Sequence, residues 1–131
     1  YCSRRQRQMC IRDSGKRLDT ELQAAGSEPV VLFGFSQGAA MAIEVGLPRP
    51  LAGVIGCSGY PHPNWSLEHV PQAPTLLMHG SGDVVVPVAA QAALTAEISR
   101  VGGQVEVFTF SGGHTIPLEA VERAASFLAA L

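Results

Sequence analysis

Four short apolar runs punctuate this chain: Val30-Val31-Leu32-Phe33, Leu51 to Cys57, Thr75-Leu76-Leu77-Met78 and Val105 to Phe110. Runs of this length, bounded by Gly and Pro, read as strands. The first three are apolar almost throughout, as in strands buried on both faces. The fourth, Val105-Glu106-Val107-Phe108-Thr109-Phe110, alternates as a strand at a sheet edge does. The intervening sequence is helix-like. Leu18 and Leu22 recur at helical spacing, so Lys16 to Ala25 predicts an amphipathic helix ended by Gly26. Gly38 to Gly46, rich in Ala and Met, reads as a buried helix, and Pro87 to Val101 as one closed by Gly102-Gly103. Pro117 suits the first turn of a last helix, Glu119 to Leu131, with Val121, Ala125, Phe127 and Leu128 as its apolar positions. Ser58 to Pro74, with four prolines, is loop. Repeated strand–helix units predict an α/β fold with a mostly parallel sheet and helices on both faces. Four strands are few for such a sheet, and one starting at Val30 has an edge and a face that expect partners.

Each of three Gly-bearing motifs follows one of these runs. Gly34-Phe35-Ser36-Gln37-Gly38 comes first, His79-Gly80-Ser81-Gly82-Asp83 next, and Gly112-Gly113-His114 last. A Ser inside G-x-S-x-G, then an Asp, then a His is the chain order of an α/β-hydrolase triad. In the first motif the strand must turn sharply into a helix. Gly34 and Gly38 are expected to remove Cβ atoms that would clash there. The turn lifts Ser36 to the C-terminal end of the sheet and aims the Gln37 N–H at an oxyanion. A carboxylate at Asp83 suits the orienting role, and a neutral imidazole at His114 suits proton transfer. Glycines before His114 give its loop the freedom to bring the ring onto Ser36. His62 and His69 lie in the Pro-rich stretch and suit a surface. His79 ends a strand and is expected to fix nearby loops by hydrogen bonding. These histidines and Asp83 have no metal-ligand spacing, and no phosphate-binding Gly loop is present.

Charge is unevenly placed. Six of the nine basic residues are Arg4, Arg5, Arg7, Arg12, Lys16 and Arg17. Such an arm could serve nucleic acid or a membrane surface, but Gln8-Met9-Cys10-Ile11-Arg12-Asp13-Ser14 resembles the translation of a transposase-type sequencing-library adapter. That heptad suits neither helix, strand nor signal. Residues 1–14 are therefore read as a non-native or disordered tail, with the native chain entering near Gly15, and residues 15–131 as a partial domain. Without the four arginines and Asp13 of that segment, the net charge falls from −2 to about −5, which disfavours nucleic acid. Cys57 is then the one remaining cysteine, so no disulfide framework exists and a reducing, cytoplasmic compartment fits. No apolar run reaches the roughly 18 residues of a membrane span.

Gly34-Phe35-Ser36-Gln37-Gly38-Ala39-Ala40, Ser58-Gly59-Tyr60, His79-Gly80-Ser81-Gly82-Asp83-Val84-Val85-Val86-Pro87 and Gly112-Gly113-His114-Thr115-Ile116 together resemble the phospholipase/carboxylesterase family, which includes acyl-protein thioesterases and small carboxylesterases. The resemblance spans about residues 16 to 131. Dienelactone hydrolases are similar but use Cys where this chain has Ser36. The resemblance implies the C-terminal portion of an α/β-hydrolase fold. It makes Ser36 the nucleophile, Asp83 the orienting acid, His114 the base and Gln37 one oxyanion donor. It also implies cofactor-free hydrolysis of small acyl esters or thioesters. The family's second oxyanion donor comes from a Gly-rich loop after an early strand, and nothing in residues 1–15 matches it. The expected activity is thus reduced or absent. The contrasting expectation is a degenerate, non-catalytic hydrolase domain that binds by completing its sheet with another chain. Trp65 and Leu67 are candidates to line the acyl pocket. Oligomeric state stays open, a homodimer included.

Overall fold

The computed structural model describes residues 3–131. In chain order the elements are α1 (Arg4–Ala25), β1 (Val31–Phe35), α2 (Gln37–Gly46), β2 (Gly53–Cys57), β3 (Thr75–Gly80), α3 (Ala89–Arg100), β4 (Val105–Phe110) and α4 (Leu118–Ala129). The four strands form one parallel sheet in the order β1-β2-β3-β4. β4 is an edge, as its alternation predicts, and β1 is the other.

Side-chain parity sorts the core into two layers. Val54 of β2 and Leu77 of β3 face Ile43 and Val45 of α2, Leu94 and Ile98 of α3, and Leu18 of α1. Ile55 and Cys57 of β2 and Leu76 and Met78 of β3 point the other way, against Ala120 and Phe127 of α4. Successive residues of a strand face opposite sides, so one pair of fully buried strands supplies both layers. Ile55, Leu76 and Ile98 are essentially inaccessible, and burying each contributes about 1.5–3 kcal/mol. Gln91 of α3 ties the sheet to its helix layer: its Nε2 donates to the Leu77 and Phe108 carbonyls, and its Oε1 accepts from Thr109 Oγ1.

Three sequence expectations are corrected. Residues 4–14 are helical and continuous with the expected helix, not irregular; Tyr1 and Cys2 lie outside the described residues. Ser3 caps this helix in a reciprocal capping box with Gln6. Ile11, seven residues before Leu18, extends the same stripe onto the core. In α4 the buried positions are Ala120 and Phe127, whereas Val121, Ala125 and Leu128 are exposed. Phe127 is inside as expected, and Ala120, two turns earlier on the same face, packs with it against the sheet. β1 and β3 each run two residues further than expected, through Gly34-Phe35 and His79-Gly80. Their backbones stay paired with Gly56-Cys57 and with Thr109-Phe110, respectively.

The long β2–β3 connection has its own clamp. The Leu67 N–H donates to Glu97 Oε2 at 2.7 Å, while Arg100 donates to the Leu67 carbonyl at 2.8 Å and to Glu97. The Arg100 guanidinium and that amide hold the Glu97 carboxyl down at about 2. A depressed carboxylate contributes its stabilisation above its unfolded pKa and loses it as pH falls through the folded value. Glu97→Gln is therefore expected to speed exchange of the Leu67 amide at neutral pH. Variant and wild type should converge as pH falls toward about 2. Equal exchange at neutral pH would count against the clamp.

Candidate active site

Parallel strands place all their C-terminal ends on one side of the sheet, and three motif residues lie just beyond those ends. Ser36 follows β1, Asp83 lies three positions past the end of β3, and His114 four past the end of β4.

Ser36 sits between β1 and α2 with φ 57° and ψ −117°. A non-Gly residue there is strained by about 1–3 kcal/mol. The surrounding bonds hold it: its N–H donates to the Cys57 carbonyl at 2.8 Å, and its own carbonyl accepts from Ala39 and Ala40. A Ser at a helix start ordinarily caps it with its hydroxyl. Ser36 does not; its Oγ lies 2.9 Å from His114 Nε2.

His114 Nδ1 is 2.8 Å from Asp83 Oδ2. An ionised carboxylate only accepts, so Nδ1 carries the proton, and in the neutral ring Nε2 is free to accept from the Ser36 hydroxyl. The Phe35 ring backs the imidazole at 4.9 Å between centroids. Asp83 Oδ1 accepts from the Val85 and Val86 amides at 2.9 and 2.8 Å. Burial pushes the Asp83 carboxyl up, but the bonds from His114, Val86 and Val85 outweigh it and leave the pKa below the usual range. Burial raises the Cys57 thiol, so it stays protonated and donates to the Thr115 carbonyl, beside His114.

The glycine requirement falls differently from the sequence expectation. A Cβ on Gly34 would lie 2.2 Å from the Gly38 carbonyl oxygen, so the strand-to-helix turn closes only over a bare Cα. A Cβ on Gly38 meets nothing, so the expected clash there is absent. Gly112 and Gly113 have no positive φ. The loop before His114 depends instead on Gly80, whose Cβ would lie 2.4 Å from the Gly113 oxygen and 2.5 Å from that of Gly112. Phe35, Cys57 and Gly80 were not distinguished by sequence. Their signal is contact between distant segments, which motif spacing does not carry.

Gln37 is the first residue of α2, where N–H groups point out of the helix. His62 is buried rather than on the surface, and its Nδ1 has no hydrogen-bond partner among the described residues. Trp65 and Leu67 line a cavity of about 610 Å³ with Glu44, Leu47, Arg49 and Ile11. Its lining excludes Ser36, Asp83 and His114, so these two candidates lie apart from the Ser–His–Asp cluster. Among the described residues no His/Cys/Asp/Glu group could hold a metal ion, and no helix is long and apolar enough to cross a membrane.

This sheet, with its helix layers, is an α/β-hydrolase architecture. The chain matches the phospholipase/carboxylesterase family over residues 9–131 and belongs to it. Acyl-protein thioesterase 1 of Neurospora crassa is 30% identical over 127 residues, covering 86% of this chain and 49% of the relative. The crystal structure of esterase PE8 superposes with a TM-score of 0.84 at 30% identity, covering 95% of this chain and 61% of that one. Arabidopsis thaliana SOBER1 superposes at 0.82 with 23% identity, covering 99% and 66%, and shares the fold. The chain thus spans about half the length of the curated relative it matches.

Proposed function

We propose that this chain carries the reacting groups of a serine carboxylesterase or thioesterase, with Ser36 as nucleophile, His114 as general base and acid, and Asp83 as the orienting carboxylate. The observation that carries this reading is the unbroken line Ser36 Oγ–His114 Nε2 at 2.9 Å and His114 Nδ1–Asp83 Oδ2 at 2.8 Å. Ser36 Oγ attacks the acyl carbonyl as its proton passes to His114 Nε2. Asp83 stabilises the imidazolium without taking the proton. The Gln37 N–H faces the developing oxyanion. His114 returns the proton to the departing alcohol or thiol, and water, deprotonated by the same nitrogen, releases the acid. Every atom moved belongs to Ser36, His114, the substrate or water, so the reading needs no cofactor. An apolar acyl group suits the surroundings: Val84 and Val85, directly after Asp83, are 93% and 64% exposed.

The N. crassa relative is a thioesterase and PE8 an esterase by name, which supports acyl transfer to water as the reaction class. Removing one oxyanion donor costs about 10²–10³ in rate. Gln37 is the donor this reading assigns, at the first position of α2. Reaction with a fluorophosphonate probe tests the nucleophile without turnover. Wild type is expected to be labelled at Ser36, and Ser36→Ala to take no label. A folded wild type that takes no label would refute the reading and favour a binding module, for which the unpaired β1 edge and the half-exposed Phe33 would be the surface.

A further inference from the structure

His79 is the penultimate residue of β3, and its ring is almost wholly buried. Its Nε2 lies 2.8 Å from the Val86 carbonyl oxygen. A carbonyl only accepts, so Nε2 carries a proton and donates it. Val86 is held at both ends, because its N–H donates to Asp83 Oδ1 at 2.8 Å. The same His79 nitrogen lies 3.5 Å from Asp83 Oδ2, the oxygen that accepts from His114 Nδ1. The two carboxylate oxygens are therefore used unequally. Oδ1 is fixed by two amides of the turn, and Oδ2 faces the His114 N–H with the His79 N–H nearby. The Asp83 side chain has no solvent exposure, so no water replaces a lost donor. A buried carbonyl or carboxylate left without one is costly and turns toward whatever donor remains.

We propose that His79 is a positioning residue for the hydrolysis: by holding the Val86 carbonyl it sets the turn from Asp83 to Val86, and so the direction from which Asp83 Oδ2 meets His114. It touches neither substrate nor Ser36 in this role and acts only through Asp83. Without its N–H the Val86 carbonyl loses its donor, the turn loosens, and the carboxylate no longer holds the imidazole in line with Ser36 Oγ. A misplacement of about 1 Å in such an arrangement costs on the order of 10²-fold in rate. The inference rests on reading Ser36, His114 and Asp83 as a catalytic triad.

Two variants of the full chain test it. His79→Phe keeps a ring of similar size without a donor, and His79→Gln restores an N–H of similar reach. The first readout is the rate at which a fluorophosphonate labels Ser36. The second is the far-downfield proton resonance of the His114–Asp83 hydrogen bond, which needs no turnover. His79→Phe is expected to slow labelling by about 10- to 100-fold and to shift or broaden that resonance while the amide spectrum stays folded. His79→Gln is expected to recover most of both. Wild-type labelling and an unchanged resonance in His79→Phe would overturn the proposal, as would a folded His79→Gln with both lost. If His79→Phe does not fold, His79→Leu, which also lacks a donor, takes its place with the same two readouts and the same two outcomes. If wild-type Ser36 takes no label, the triad reading fails, and the His114 resonance still decides whether His79 positions Asp83.

Discussion

Asp83→Asn is expected to lower kcat for a short-chain nitrophenyl ester by about 10⁴-fold, the loss seen when the orienting carboxylate of a Ser-His-Asp enzyme becomes an amide. The size follows from how the two oxygens are held. The Val85 and Val86 amides donate to Oδ1, so the amide oxygen of the variant takes that place. Its NH₂ then replaces Oδ2, 2.8 Å from His114 Nδ1. Two donors cannot share that contact, so Nδ1 must become the acceptor and the ring proton must move to Nε2. That nitrogen then points a hydrogen at Ser36 Oγ and can no longer take the Ser proton. The His79 N–H faces the same NH₂ and worsens the mismatch. Thermal unfolding should show a folded variant. A folded variant within tenfold of wild-type kcat would show that Asp83 does not orient His114.

The second large effect is on stability, and its sign reverses within one motif. Gly34→Ala is expected to destabilise the chain by about 4 kcal/mol or more, the range of changes that force backbone apart. The new Cβ would lie 2.2 Å from the Gly38 oxygen, 2.4 Å from its carbonyl carbon and 2.7 Å from the Ala39 nitrogen. All three are backbone at the start of α2, so nothing flexible can yield. Gly38→Ala is expected to stabilise by about 0.4–1 kcal/mol, because a helical Gly is replaced where space is open and the unfolded chain loses freedom. Urea unfolding of both variants checks the pair. A Gly34→Ala protein within about 1 kcal/mol of wild type would mean the turn can open, contrary to the close approach seen here.

Much of the architecture is legible from local pattern. The bounds of β4, Val105–Phe110, follow from its alternation alone. The placing of helices on both sheet faces follows from strands apolar throughout. The errors differ in kind. Before Gly15 the local signals for helix are present, in the Arg- and Gln-rich composition and the Ser3–Gln6 box, and with the contact of Ile11 on the core they carry α1 back to Arg4, against the expectation of a tail. In α4 Phe127 is inside as expected, but Val121 and Leu128 are exposed and Ala120 completes the packed stripe. Helical periodicity says that one face is buried; it does not say which when Ala is spread around the helix. Trp65 and Leu67 follow the same logic, since an irregular loop carries no periodic sign of the side it takes.

The sequence by itself determined the strand–helix order and the places of Ser36, Asp83 and His114, each just beyond a strand, because strand and turn signals act over a few residues. Only the tertiary structure decided how those side chains meet. The contacts concerned join residues 31 and 78 positions apart. They set which Asp83 oxygen faces His114, which histidine nitrogen carries the proton, and why Gly80 rather than Gly112 or Gly113 must lack a side chain. They depend on the parallel register that brings the ends of β1, β3 and β4 to one side, and no local signal in the chain states that register.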